Sequence, residues 1–441
     1  MEATNGKTKA GDWQNFERIL LPPIRDLHKL DVYEAEYDGY QAIQKVLKEW
    51  EPGEVVNEVK QANVRGRGGA AFNAGLKWSF MPPKGDRPRY LACNADESEP
   101  GTYKDRQLME YNPHLMFEGI LLANYAMQMD ACYVYVRGEY VDWIDHMERE
   151  LEKLYAKGYV GENIFGSDFS TDIILHKGAG AYICGEETSL MNSLEGKRGY
   201  PRIKPPFPAQ KGLWGNPTTI NNVETLAHVT LVMRHGADWF SGIGAPTHPG
   251  STIYGISGHL NRPGVYEYPT GMLITDLIEK VCGGMRDGKK LKAVVPGGSS
   301  VPPLHADMIE GVTMDADSLR EAGSMMGTGG MLVLNEDTDM VTYLRRVNHF
   351  YQHESCGQCT PCREGTGWLE AIVTRIDEGE GNLRDLDLLI DLCDQMEGRT
   401  ICAFADAAAW PVRYTIERFR EDFEAKCKPA VFDTGGVTIS A

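Results

Sequence analysis

The stretch Thr171-Asp172-Ile173-Ile174-Leu175-His176-Lys177-Gly178-Ala179-Gly180-Ala181-Tyr182-Ile183-Cys184-Gly185-Glu186-Glu187-Thr188 decides the architecture. Thr171–Leu175 reads as a strand, glycines then break the pattern, and Ser189–Leu194 continues as helix. A strand, a glycine loop and a helix in that order put free backbone amides at a helix N-terminus, where a ligand can meet them. Tyr182 can stack on a ring or hydrogen-bond to it. Glu186 and Glu187 favour the helix dipole. Beside a phosphate they would repel, so hydroxyls or an amide suit them better. Simple helix capping is the competing role for both.

Upstream, Arg89–Cys93 reads as a strand running into Asn94-Ala95-Asp96-Glu97-Ser98-Glu99-Pro100-Gly101-Thr102. Short polar and acidic residues at a strand's C-terminal end form either a site or a solvated turn. Helical spacing follows over Asp105–Met109 and Met116–Met129, a strand over Ala131–Val136 and an amphipathic helix over Val141–Ala156. The fold class is therefore α/β. Further upstream, Gly66, Gly68 and Ala71 in Arg65–Phe72 match G-x-G-x-x-G/A. That fingerprint should follow a strand, whereas the residues before it have helical spacing, so an ordinary Rossmann reading is rejected. Arg65, Arg67 and Lys77 add positive charge, and Phe72, Trp78 and Phe80 add flat apolar faces. A cofactor loop is preferred to a flexible turn. Tyr40–Trp50 and Glu54–Ala62 are predicted helices, and the proline-containing first thirty residues are expected to wrap another surface.

Downstream, residues 199–219 are rich in Pro and Gly and carry Arg202, Lys204 and Phe207. They are either a linker or a loop over a cofactor. Thr218–Thr225 is read as opening a helix through Met233, with Asn and Thr side chains that cap it or bind phosphate. Strands at 252–257, 265–268, 292–295 and 331–334, with a helix at 273–281, suggest a small β-grasp module without a catalytic constellation. From Thr338 onward the pattern is helical and predicts a bundle. Cys356, Cys359 and Cys362 sit there at i, i+3 and i+6, with Cys402 farther on. Three local thiolates and a distant fourth can cap the irons of a [4Fe–4S] cluster. Structural zinc and a cysteine-rich loop are the alternatives, although zinc more often takes two separated pairs. Cys393 lies in an apolar helical run and reads as a core residue.

The length of 441 residues allows about three domains. A net charge of −18 argues against nucleic acid and anionic membrane surfaces. No apolar run approaches the ~20 residues of a membrane span, and Met1–Gly6 lacks signal-peptide character. Ten cysteines without a pairing pattern suit a reducing compartment. A cytosolic location is expected, with any membrane association supplied by partners.

Arg65–Phe72, Asn94–Gly101, Gly178–Glu187, Asn221–Thr225 and the Cys356/Cys359/Cys362…Cys402 set occur here in one order. With these blocks the chain resembles, over nearly its whole length, the NADH-binding flavoprotein (F-type) subunits of respiratory complex I, NADH:quinone oxidoreductase. The resemblance implies an N-terminal connecting region (1–64), an α/β FMN- and NADH-binding domain (65–245), a ubiquitin-like β-grasp domain (246–337) and a C-terminal helical bundle with a [4Fe–4S] cluster (338–441). It implies FMN contacts at Gly66, Gly68, Lys77, Asn94, Asp96, Glu97, Ser98, Tyr182, Gly185, Glu186, Glu187, Asn221, Asn222 and Thr225. NADH contacts are implied at Phe72, Phe80, Glu99, Lys204 and Phe207, and cluster ligands at Cys356, Cys359, Cys362 and Cys402. Ala71 departs from relatives in which Gly is common. The implied chemistry is hydride transfer from NADH to FMN, then single-electron transfer to the cluster. No catalytic side chain is needed beyond Glu99 and Glu187 as positioning groups. Acidic groups there would also repel the extra phosphate of NADPH. The resemblance further implies a small thioredoxin-like [2Fe–2S] partner, a larger iron–sulfur partner, and a peripheral place on the inner face of the plasma membrane through them. The nearest alternative is the diaphorase component of a soluble NAD-linked hydrogenase or formate dehydrogenase.

Overall fold

The computed structural model describes residues 13–428, 431–433 and 438–440. The expectation for Met1–Gly6 and the rest of the first twelve residues lies outside them. Four strands build a wholly parallel sheet: β1 (Tyr90–Ala95), β2 (Ala131–Val136), β3 (Asp172–Lys177) and β4 (Thr218–Asn222), in the order β3-β2-β1-β4. Beside β1 the strand order reverses. In open parallel sheets a crevice forms at that switch, past the carboxyl ends of the strands. The register brings those ends level: Asn94 lies opposite Asn222 on β4 and opposite Tyr135 on β2.

Helix Pro113–Met127 is apolar almost all round and is buried along nearly its whole length, as a helix of that pattern must be. It packs against helix Val223–His235. The two backbones meet at Gly119, where an added Cβ would stand 1.9 Å from the Leu226 carbonyl oxygen. Buried Glu118 then fastens the N-terminal helices to this pair. It accepts from Tyr33 Oη at 2.8 Å and the Tyr40 amide at 3.0 Å through Oε2, and from the Ala42 amide at 3.1 Å through Oε1. Arg234 neutralises it at 2.7 Å.

Thr218–Thr225 does not open a helix throughout, as its Asn and Thr content suggested. Thr218–Asn222 is the fourth strand, and the helix begins at Val223 with Asn222 capping the Glu224 amide. Two threonines and an isoleucine prefer the pleated surface beside β1, so the cap falls after them. The helix predicted before the Arg65–Phe72 loop is present as Pro52–Gln61.

A second, five-stranded sheet comprises β5 (Ser251–Gly258), β6 (Gly264–Pro269), β7 (Leu291–Val295), β8 (Leu304–His305) and β9 (Gly330–Asn335). The order is β8-β7-β9-β5-β6, with only β9–β5 parallel. The segment before the N-terminal helices does wrap a surface, and that surface belongs to this chain. The amides of Ile19, Leu20 and Leu21 donate to Glu267 of β6 at 2.9–3.0 Å, and Trp13 meets Tyr268 edge-on. The C-terminal part is a bundle of helices Met340–Glu354, Thr360–Asp377, Leu383–Met396 and Phe404–Arg418. Cys393 is fully buried in it, its thiol directed at the Ala409 carbonyl.

Gly119→Ala forces the two central helices apart. It should cost about 1–3 kcal/mol, the usual range for overpacking, and lower the thermal midpoint of the purified protein. An unchanged midpoint would show that the crossing has room to spare.

Candidate functional site

The end of β1 carries the first part of the site. Asn94 reaches across with Nδ2 to the Gly185 carbonyl at 2.9 Å and locks the two loops together. Glu97 turns inward and caps helix Lys104–Tyr111, accepting from the amides of Asp105 at 2.8 Å and Arg106 at 3.0 Å and from Tyr140 Oη at 3.0 Å. Burial pushes its carboxyl up to about 7. Burial likewise raises Asp96 to about 7, with Arg137 opposing only in part. Asp96 Oδ2 and Ser98 Oγ are buried and, apart from each other, have no partner within the protein.

The Arg65–Phe72 loop closes on itself through the Gly66 amide and the Phe72 carbonyl at 2.8 Å. Thr225 supports it from below, its Oγ1 accepting from the Arg67 amide at 2.9 Å. The buried Arg67 guanidinium donates to the carbonyls of Pro249 and Ser251 and contacts His248, so the loop is tied to the start of the β-grasp module. Behind it, Lys104 is buried between Asp105 at 2.6 Å and Glu224 at 2.8 Å, and Asn222 Nδ2 donates to Asp105.

In the Gly178–Glu187 segment, Tyr182–Gly185 form one tight turn before helix Glu187–Leu194. Glu186 takes the capping role: its Oε2 accepts from the amides of Thr188 and Ser189 at 2.8 and 2.9 Å. Glu187 is paired with Lys77 at 3.3 Å and Lys204 at 2.6 Å. Burial alone would raise its carboxyl, and the two lysines hold it below the ordinary range. Lys77 also donates to the Ile220 carbonyl, and Asn221 accepts from Trp78 Nε1.

These parts converge on a cavity of about 470 Å³, a size typical of ligand sites. Of the anticipated flavin contacts, Gly68, Asn94, Asp96, Glu97, Ser98, Tyr182, Gly185, Glu186 and Asn222 line it, as does Glu99. Gly66, Lys77, Glu187, Asn221 and Thr225 stand outside that lining, as do Phe72, Phe80, Lys204 and Phe207. Phe72, Phe80 and Phe207 are about half exposed, at 47, 57 and 54%. Sequence reading missed two walls altogether. One comes from the β-grasp loops, with Gly297, Ser300, Val301, Met325, Gly327 and Thr328. The other comes from the bundle, with Phe404, Ala407 and Trp410 beside Cys402, which the sequence had marked only as a cluster ligand. Neither carries a local signal; both arrive through long-range packing.

Cys362 is buried in the core that the bundle shares with the sheet, and Cys356, Cys359 and Cys402 pack against that core. Burial raises the Cys362 thiol to about 11 and Cys402 to about 12; neighbouring cysteines add to both shifts, Cys356 in each case. The Ile401 amide points at Cys359 Sγ at 3.5 Å. Among the described residues no three His, Cys, Asp or Glu are set to hold a single metal ion. An all-sulfur set suits a [4Fe–4S] cluster, in which each thiolate caps a different iron. The cavity suits FMN through its size, its uncommitted Asp96 and Ser98 oxygens, and its glycine loops.

A raised carboxyl pKa makes folding stability fall as pH climbs from the unfolded value toward the folded one. For Asp96 in flavin-free protein that window runs from about 4 to about 7. Asp96→Asn should therefore gain stability over the parent by up to ~4 kcal/mol at pH 8 and almost nothing at pH 4. Urea midpoints at both pH values check this; a difference that does not change with pH rules it out.

The family described as the Nuo51 FMN-binding domain matches residues 59–231, the SLBB domain matches 253–304, and the NADH-ubiquinone oxidoreductase-F iron-sulfur binding region matches 342–426. The F subunit of NADH-quinone oxidoreductase from Rickettsia massiliae (strain Mtu5) is 52% identical over 421 residues, 95% of this chain and 93% of that one. The F 2 subunit of the enzyme from Rhizobium meliloti (strain 1021) is 48% identical over 412 residues, 93% of this chain and 97% of that one. Among solved structures, an NAD+-reducing [NiFe]-hydrogenase in the air-oxidized state matches with a TM-score of 0.81 at 33% identity, covering 92% of this chain and 69% of that chain.

Proposed function

The chain belongs to the family of F subunits of NADH-quinone oxidoreductase, and we propose that its cavity holds FMN beside NADH while Cys356, Cys359, Cys362 and Cys402 hold the [4Fe–4S] cluster that takes electrons away. It is the electron-input subunit of an NADH dehydrogenase complex and oxidises NADH. FMN, when bound, supplies the conversion from two-electron to one-electron chemistry, and the cluster supplies one-electron uptake. The observation carrying the arrangement is that Cys402 lines the same cavity as Asn94, Asp96 and Tyr182. Entry and exit of electrons are then neighbours.

The chain's own residues bind and orient. Gly68, Asn94, Asp96, Ser98 and Asn222 are the flavin-side groups, Asp96 and Ser98 through oxygens left free for a ligand. Gly66, Asn221 and Thr225 hold the loop and strand that present them, and Glu97 and Glu186 cap the helices behind. On the nucleotide side, the uncovered rings of Phe72, Phe80 and Phe207 suit stacking with adenine. Lys77, Glu187 and Lys204 form a charged cluster, and its carboxylate can accept from ribose hydroxyls. Glu99, inside the cavity, reaches NADH from the other wall.

As a member of a complex the chain has partner subunits. A small thioredoxin-like [2Fe–2S] partner and a larger iron–sulfur partner suit an electron path leaving through the bundle. No helix among the described residues is long and apolar enough to cross a membrane, and association with the inner face of the plasma membrane through those partners fits that. The hydrogenase diaphorase reading has the solved neighbour in its support, while the half-identical curated relatives favour the quinone-linked complex.

Anaerobic NADH titration with flavin absorbance and low-temperature EPR tests the assignment. Cys402→Ala and Cys356→Ala should each abolish the [4Fe–4S] signal while bound flavin still bleaches. A cluster signal that survives both substitutions would remove these cysteines as ligands.

A further inference from the structure

Glu99 is held from three sides. Its Oε2 accepts from Tyr182 Oη at 2.6 Å, and its Oε1 accepts from the Ser300 amide at 2.8 Å and from Ser299 Oγ at 3.3 Å. Tyr182 comes from the glycine-loop domain, while both serines come from the loop after β7 in the β-grasp module. That loop can close on Glu99 only because residue 298 is glycine. Its φ is +99°, and a Cβ there would stand 2.5 Å from Glu99 Cγ. The third side is the bundle: Tyr351, about 1% exposed on helix Met340–Glu354, hydrogen-bonds Ser299 Oγ at 3.0 Å. Its ring lies edge-on to Phe404, two positions after Cys402.

Proton counting gives this chain a direction. A serine hydroxyl has one proton to give, and an ionised carboxylate only accepts. If Ser299 gave its proton to Tyr351, Glu99 would lose a donor in a buried place where burial already disfavours its charge. The arrangement that satisfies every group has Tyr351 donating to Ser299 and Ser299 donating to Glu99. The protein thus holds the Glu99 carboxylate through Tyr182, Ser299 and Ser300 where it lines the cavity.

We propose that Tyr351 is a positioning residue for NADH: by donating to Ser299 it commits the Ser299 proton to Glu99 and so fixes the Glu99 carboxylate in the wall of the cavity. This rests on Glu99 contacting NADH. The bundle that carries the cluster ligands thereby helps set nucleotide affinity, although none of its side chains needs to touch the nucleotide.

The test uses the holoenzyme with Tyr351→Phe, Ser299→Ala and the pair combined. It reads NADH KM and kcat, NAD+ affinity by calorimetry, flavin content and thermal midpoint. Loss of one neutral hydrogen bond corresponds to about a three- to tenfold change. Tyr351→Phe should raise NADH KM and NAD+ Kd by that factor, with kcat and flavin content unchanged. The double variant should be no worse than Ser299→Ala alone, because both act through one contact. Unchanged KM and Kd in Tyr351→Phe, multiplying effects in the pair, or a KM rise matched by equal losses of kcat and flavin would each overturn the proposal. Glu99→Gln separates the two layers. If it leaves KM and Kd alone, the Glu99 contact itself has failed; if it raises both while Tyr351→Phe raises neither, only the positioning role has failed.

Discussion

The register of one strand governs the site. β1 lies between β2 and β4, and the parallel pairing sets Asn94 level with Asn222 and Tyr135. A slip of one residue would turn every side chain to the other face of the sheet. Asn94 would then lose Gly185, Asn222 would lose Asp105, and the glycine loops would no longer face each other across one cavity. What fixes the register is apolar: Leu91, Cys93 and Val134 are fully buried, and helices Pro113–Met127 and Val223–His235 belong to the same core. Polar function at the strand ends is therefore indexed by packing in the strand middles.

Buried charge does the remaining alignment. Lys104 between Asp105 and Glu224, Arg234 against Glu118, and Arg67 against backbone carbonyls are all taken out of water. Such groups add little net stability over apolar replacements, yet breaking one partner away is costly because a bare buried charge remains. Each ties together parts distant in sequence: Arg67 joins the Arg65–Phe72 loop to the β-grasp module, and Glu118 joins the N-terminal helices to the central pair. Glu99 extends the same logic to the bundle through Ser299 and Tyr351. The chain's strong net negative charge does not prevent this, since the buried groups are paired locally.

How far the sequence carried can be judged residue by residue. The strand–glycine loop–helix at Thr171–Leu194, the rejected Rossmann reading of Arg65–Phe72 and the core role of Cys393 were legible because each depends on local periodicity and breakers. The start of the helix after Thr218 was misplaced because Asn and Thr signal caps wherever they occur, while strand pairing with β1 is not a local property. Glu186 and Glu187 look alike in sequence and differ in space, one capping its own helix and the other paired with Lys77 and Lys204.

The sequence alone determined the class of chemistry: glycine loops, aromatic faces, acidic strand ends and four cysteines can be read from residue types and spacing, since these reflect what a backbone or thiolate can do by itself. Only the tertiary structure decided that the cavity has three walls, that Cys402 and Phe404 line it beside Tyr182, and that Ser299 and Tyr351 hold Glu99. Those contacts include the ones to Glu99 from Ser299 and Ser300, 200 and 201 positions away. They arise from side chains meeting across separately folded layers, and no local pattern encodes such a meeting.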